Sequence, residues 1–469
     1  MKINMFLATS ALLTSLSGTA FAADSENPLM TTDFYTPDTT VAAVQAALDA
    51  GWGVDDRSRY GENPLHFAAW GHASAEVVQA LVDAGADLNQ PAGERGEVLA
   101  LAAGWDGDLA VLQVLKSAGT DFTTLGDVGD SALHYMAYTE VYDPAVLQFL
   151  LDQGLDPNAQ NQNGDTPARS AAWSGAENAN QMFDDLVAAG SDPSGFNAEG
   201  QDAFMIAISY AGKGAFLQQL YDLSDDPQAI DNKGLSGILL AAQYGVNQER
   251  LAFLERHDFD LMIETPTGQN ALILNSRYGD AVSMQLLLDR GFDINSADDA
   301  GNTPLLMALT DNEPANISAI ISAGADLNHA NAKGETPLML ALARPIEDVT
   351  TDAAKDFVAL IDAMIAQGAD VLAVNTTGAS TLIYAVKGGQ PLDRINQIIA
   401  AGVDVNTADA EGTTALMYAA MLAKDPAIVT ALIDAGADKT VQDVFDDTAA
   451  VMAADNLALA DSSVLLALQ

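Results

Sequence analysis

Few side chains in this 469-residue chain can do covalent or metal chemistry, and they are scattered. There is no cysteine, which excludes disulfides, thiolate metal sites and a cysteine nucleophile. The five histidines, His66, His72, His134, His257 and His329, do not cluster. No HExxH, GxSxG or phosphate-binding glycine loop occurs, and no nucleophile stands beside a histidine. The run Asp156-x-Asn158-x-Gln160 alternates oxygen-bearing side chains as a calcium loop does. It lacks the glycine at the sixth position and the distal bidentate glutamate. Recurrent aspartates of this kind read better as turn formers, whose carboxylates accept nearby backbone N–H groups. No catalytic residue, cofactor or metal is assigned, and the chain is expected not to be an enzyme.

Binding chemistry is better represented. Trp70, Trp105, Tyr138, Trp173, Tyr210, Tyr244 and Tyr278 recur every 33–37 residues, each just after an apolar stretch. They include three of the four tryptophans. Tryptophan and tyrosine suit partner contacts because they offer large rigid area with a polar edge. Further along, the same place is held by Thr310, Arg344, Lys387 and Met421.

The elements that carry these residues repeat. Asn302 to Gly334 states the unit most clearly. Thr303 caps a first helix with Pro304 in its opening turn, and Asn312 with Pro314 gives a second start signal. Ile317, Ile320 and Ile321 then share one helix face. Gly324 ends the helix, as a residue free to take positive φ does. A glycine precedes each new unit, from Gly61 through Gly96, Gly129 and Gly164 to Gly412, in steps of 33–36 with a single step of 44. At Asp446 the glycine is lost. An aspartate sits eight residues before nearly every boundary, and a helix-ending glycine two before that. Ser224 and Asp258 replace that glycine, so those two turns are expected to be looser. The long step holds about ten extra residues, Arg344 to Ala354, expected as a surface loop between two helices.

These residues carry a resemblance. The helix-opening tetrapeptides NPLH (63–66), SALH (131–134), TPLL (303–306), TPLM (336–339) and TALM (414–417) are similar to those of ankyrin repeats. So are the loop signatures GADLN (85–89 and 324–328) and GVDVN (402–406). The resemblance implies an all-α solenoid of helix-turn-helix units with projecting β-turns, each unit burying its apolar faces only against its neighbours. It implies that His66 and His134 hydrogen-bond between neighbouring turns. It also implies that the aromatic series faces a concave groove and that Arg59, Tyr60, Glu94, Arg95, Asn232, Lys233 and Lys333 stand at turn tips.

The expected organisation follows. Lys2, the apolar run from Met5 to Leu16 and Ala20-Phe21-Ala22 make residues 1–22 a secretory signal of bacterial type. The mature protein is then periplasmic, with no stable membrane anchor. Residues 23–37 are a polar lead-in and 38–61 an N-terminal capping unit. Eleven repeats cover 62–96, 97–129, 130–164, 165–200, 201–234, 235–268, 269–301, 302–334, 335–378, 379–412 and 413–446. A partial repeat, 447–469, closes the stack. The formal net charge is −46, which argues against nucleic acid and anionic lipid and is compatible with a basic partner. The leading expectation is a monomeric, non-catalytic scaffold holding a protein partner in its groove. A dedicated inhibitor or immunity-type protein masking an exported enzyme is the alternative, and a stress-protection role stays open.

Overall fold

The computed structural model describes residues 27–58, 61–88, 108–126, 128–138, 142–173, 178–209, 214–346, 351–459 and 464–468. The expected signal segment lies outside them. The chain forms two compact units, Met1–Lys233 and Gly234–Gln469. The fold is all-α: the regular elements of the described residues are helices, and the only β pairings among them are the single bridges Val374 with Ser380 and Ala408 with Thr414.

The first unit opens with a correction to the expected polar lead-in. Two short 3-10 turns, Pro28–Met30 and Thr32–Phe34, pack onto the helix Pro64–Trp70. Leu29, Met30 and Tyr35 are fully buried there. Asn27 accepts the Leu29 N–H and donates to Gly53 O (3.1 Å) and Asp56 Oδ2 (2.8 Å), which ties the segment to the turn below. Gly71 has no room for a side chain, because a Cβ would lie 2.6 Å from Tyr35 Cβ. Apolar surface at this end of the first unit is thus covered by residues 29–35 of the chain itself. Helix Val41–Asp49 follows, then the pairs Pro64–Trp70 with Ala75–Asp83, Ala132–Tyr138 with Pro144–Asp152, Pro167–Ala171 with Ala179–Ala188, and Ala203–Ser209 with Gly214–Leu223. Helix Leu109–Ala118 stands alone among the described residues of its repeat, because residues 89–107 lie outside them.

The second unit repeats the plan. Its short first helices, Gly237–Gln243, Ala271–Tyr278, Pro304–Asp311, Pro337–Ala343, Thr381–Lys387 and Ala415–Leu422, stack on one another, and each packs on the second helix of its own repeat. Leu305, Leu306, Ala308 and Leu309 are buried, as are Ile317, Ile320 and Ile321. Thr303 caps its helix as the sequence indicates, accepting from Leu306 N. Asn312 does something else. Its amide donates to Ser276 O (2.8 Å) and Gly279 O (3.0 Å) in the preceding repeat. The second helix is instead preceded by Glu313, whose side chain makes no cap bond.

The extra residues of the long repeat are a loop only in part. Helix Asp352–Ala366 runs 15 residues, capped by Thr351, so the last inserted residues lengthen the helix. Arg344 is pinned: Nη1 donates to Asn312 O (2.7 Å), and its guanidinium lies 4.7 Å from the centre of the Phe357 ring.

Polar turns join the repeats by two devices. Backbone N–H groups bond from one turn tip to the next, as in Gln162 to Val128 O (2.8 Å), Ala198 to Asn163 O (2.7 Å) and Thr376 to Lys333 O (2.9 Å). Asparagines two residues after the periodic aspartates clamp the following repeat. Asn328 donates to Gly368 O (3.0 Å) and accepts from Asp370 N (2.8 Å), and Asn158, Asn295 and Asn406 repeat the pattern. The aspartates form the expected turns: Asp326 Oδ1 accepts from Asn328 N at 2.8 Å. Gly334 shows why glycine marks the boundary. Its φ is 73°, and a Cβ would stand 2.7 Å from Thr376 N. Asp446 keeps the same backbone conformation, φ 65°, without glycine. Of the two turns expected to be loose, Asp258 takes φ 58° as glycine would, while Ser224 does not and instead bonds Asp202 through its hydroxyl.

Candidate partner-binding surface

Five of the eleven residues expected at the surface, Arg59, Tyr60, Arg95, Trp105 and Tyr210, lie outside the described residues. In the first unit, Trp70 closes its helix and is half-buried, with its ring edge-on to Phe67 (5.6 Å between centroids) and tilted against His66 (6.1 Å). Tyr138 also closes a helix, 6.3 Å from Tyr135. Its hydroxyl accepts from Ser170 Oγ (3.3 Å) in the next repeat, and burial pushes its pKa well up. Trp173 follows the helix Pro167–Ala171 and is half-buried. Lys233 pairs with Glu199 at 2.9 Å in solvent, where such a pair contributes about 0–1 kcal/mol.

In the second unit Tyr244 is half-buried at the end of Gly237–Gln243. Tyr278 ends Ala271–Tyr278 with 49% of its surface exposed and the Arg277 guanidinium 5.1 Å from its ring centre. The five described members of the series therefore share one structural address, the end of the first helix, but not one degree of exposure.

Sequence reasoning missed two aromatics. Tyr384 and Tyr418 sit one helical turn earlier, four residues after the caps Ser380 and Thr414. Tyr384 Oη donates to Glu335 Oε1 (2.9 Å) and accepts from Asn375 Nδ2 (3.0 Å). Tyr418 Oη donates to Asp409 Oδ2 (2.7 Å). The available signal was an Asn or Asp nine residues before each tyrosine, in the turn just below the helix. Of the residues expected in place of aromatics, Thr310 bonds its own helix at Met307 O (2.7 Å), and Lys387 Nζ lies 4.6 Å from the centre of the Tyr418 ring.

Behind the first unit's turns lies a buried polar network. His134 accepts from Ser131 N at Nδ1 (3.1 Å), so Nε2 carries the proton and donates to Asp165 O (3.0 Å). This is a bond between neighbouring repeats. Asn161 donates to Asp130 (2.8 Å) and Asn197 to Asp165 (3.2 Å). Arg169 occupies the position that histidine holds in SALH, 3.6 Å from Asp165 and donating to Ser194 O (2.7 Å). Burial holds the Asp165 pKa up at about 6 and pushes His134 down. The Ser131 hydroxyl also lies 2.9 Å from His134 Nδ1, buried in the same network. Asp156 accepts from Asn158 N (2.8 Å), while Asn158 clamps the next repeat, so the calcium-like run is occupied with holding the turn. Among the described residues no group of His, Asp and Glu is arranged to hold a metal ion. No described helix is long and apolar enough to cross a membrane.

Short paired helices, stacked repeat on repeat and stitched through glycine-bounded polar turns, define a helical-repeat solenoid. Family models place the chain within that class: the ankyrin repeat matches residues 60–92, and a three-copy ankyrin-repeat model matches 351–443. The chain contains ankyrin repeats over those residues, and such repeats indicate a protein–protein interaction scaffold. A search of curated proteins returned no match.

Proposed function

We propose that this chain is an exported, periplasmic, non-catalytic scaffold that binds a protein partner along its helix-end aromatics. The observation that carries the reading is that Trp70, Tyr138, Trp173, Tyr244 and Tyr278 all fall at or just beyond the end of a first helix. The positions expected for Trp105 and Tyr210 extend the series. Binding energy concentrates in a few anchors, so Trp70, Trp173 and Tyr278 replaced together by alanine should abolish capture of the partner. Crosslinked capture from a periplasmic extract, read by mass spectrometry, tests this, with far-UV circular dichroism confirming that the triple variant stays helical. Equal capture by a helical triple variant overturns the reading. The export part is tested separately: the mature protein should begin at Ala23.

The net charge of −46 favours a second, narrower reading, an inhibitor or immunity-type protein that masks a basic exported enzyme. Its mark is affinity that falls steeply with salt. A captured partner that is acidic, or bound equally well in high salt, removes it.

A further inference from the structure

The second unit carries a strip that the Trp70–Tyr278 series does not include. Tyr384 and Tyr418 hold equivalent positions on the stacked helices Thr381–Lys387 and Ala415–Leu422. Each tyrosine hydroxyl is bonded to a carboxylate below it, Glu335 and Asp409. We propose that this strip is a docking surface for a lysine- or arginine-rich segment of a protein partner.

Three observations carry the proposal. First, the carboxylates are fixed in place before any partner arrives. Asn331 Nδ2 donates to Glu335 Oε2 (3.0 Å), and Thr413 N donates to Asp409 Oδ1 (2.9 Å). Each carboxylate has about four acceptor sites, so capacity remains for a cation. Burial and Glu335 push Tyr384 up to about 12, so its hydroxyl stays a donor throughout the neutral range. Second, the strip already accepts a cation. Lys387 is exposed, and its Nζ sits 4.6 Å from the centre of the half-buried Tyr418 ring, within reach for a cation–π contact. A partner's lysine meeting Tyr384 or Tyr418 would use the same ring chemistry, with a carboxylate beside it. Third, the charge balance favours a basic occupant: Glu411 adds an exposed carboxylate next to Asp409, and the chain as a whole is −46. A ring with a carboxylate at its edge selects a cationic side chain, where a bare acidic patch would select only charge.

The test uses the full chain and fluorescein-labelled decalysine, read by anisotropy at two salt concentrations. Saturable binding is expected. Glu335→Gln with Asp409→Asn should weaken it about tenfold. Lys387→Ala should strengthen it roughly two- to fivefold by clearing the Tyr418 ring face. Lys387 is exposed, so that variant reports on binding without a folding complication. The control removes the same charge elsewhere, by Asp352→Asn with Asp356→Asn, and should do much less. Equal weakening by both charge-removing pairs overturns the proposal, because binding would then follow net charge alone. So does weakened or unchanged binding in Lys387→Ala. Spermine displacing decalysine at matched charge, with the same dependence on the variants, overturns the assignment to a protein segment. Trp70→Ala and Trp173→Ala should leave decalysine binding unchanged, so this surface and the aromatic series stand or fall separately.

Discussion

Asp165 and Arg169 show how a single repeat departs from its neighbours at the cost of a pH dependence. The pair is buried, with Asn197 on the same carboxylate and Ser194 O on the guanidinium. Burial outweighs these partners and raises Asp165 to about 6, against about 3.9 in an unfolded chain. Between those values the folded protein binds a proton that the unfolded chain does not. The contribution to stability is therefore fully present below about pH 4 and is lost as pH rises through 6. A shift of this size corresponds to about 2–3 kcal/mol. Urea denaturation of Asp165→Asn against the unmodified chain isolates it, since His134, pushed down by burial, titrates in both and cancels. Whatever the offset between them at pH 4, the variant should gain about 2–3 kcal/mol relative to the unmodified chain by pH 7. A difference that stays flat across that interval refutes the assignment.

At the scale of the element, the glycine and aspartate series was legible because each residue does one local job. Gly334 is needed both for its φ of 73° and for the close approach of Thr376 N. Gly334→Ala should cost about 1–3 kcal/mol. Asn328→Ala removes two exposed bonds to the next repeat and should cost about 1–2 kcal/mol. Urea midpoints measure both, and an Asn328→Ala cost equal to that of an unclamped surface asparagine would show the clamp to be idle. What escaped sequence reading was non-local. Asn312 carries a perfectly good helix-start signal, yet its amide reaches back 36 residues to Ser276 O. Tyr35 lies in a stretch with no helical periodicity, and only the bare face of the first repeat explains its burial. Inserted residues after Arg344 look like loop, but a capping threonine at 351 restarts the helix early. Tyr384 and Tyr418 stand one helical turn before the position where the Trp70–Tyr278 series recurs, so they fall outside its period. Their role depends on carboxylates supplied by the turns.

At the scale of the whole molecule, charge dominates. Sixty-five acidic residues face 19 lysines and arginines, and the described ion pairs are Asp165–Arg169, Glu199–Lys233, Glu255–Arg290, Asp352–Lys355 and Asp362–Arg394. With 65 carboxylates against 19 lysines and arginines, at least 46 cannot each have a lysine or arginine of their own. Self-repulsion at this density destabilises the compact state, and it is the interaction that salt removes, over a Debye length of about 10 Å at 0.1 M and 3 Å at 1 M. Stability should rise with sodium chloride, with the steepest gain below about 0.3 M, where screening changes most. A gain from screening depends on ionic strength alone. Sodium chloride and sodium perchlorate matched below about 0.3 M should therefore raise the melting temperature equally, whereas effects on apolar hydration would separate them. Binding to a basic segment should run the other way and weaken over the same range. A melting temperature that falls with added chloride would mean that the few ion pairs outweigh the repulsion, and would remove the electrostatic basis for a basic partner as well.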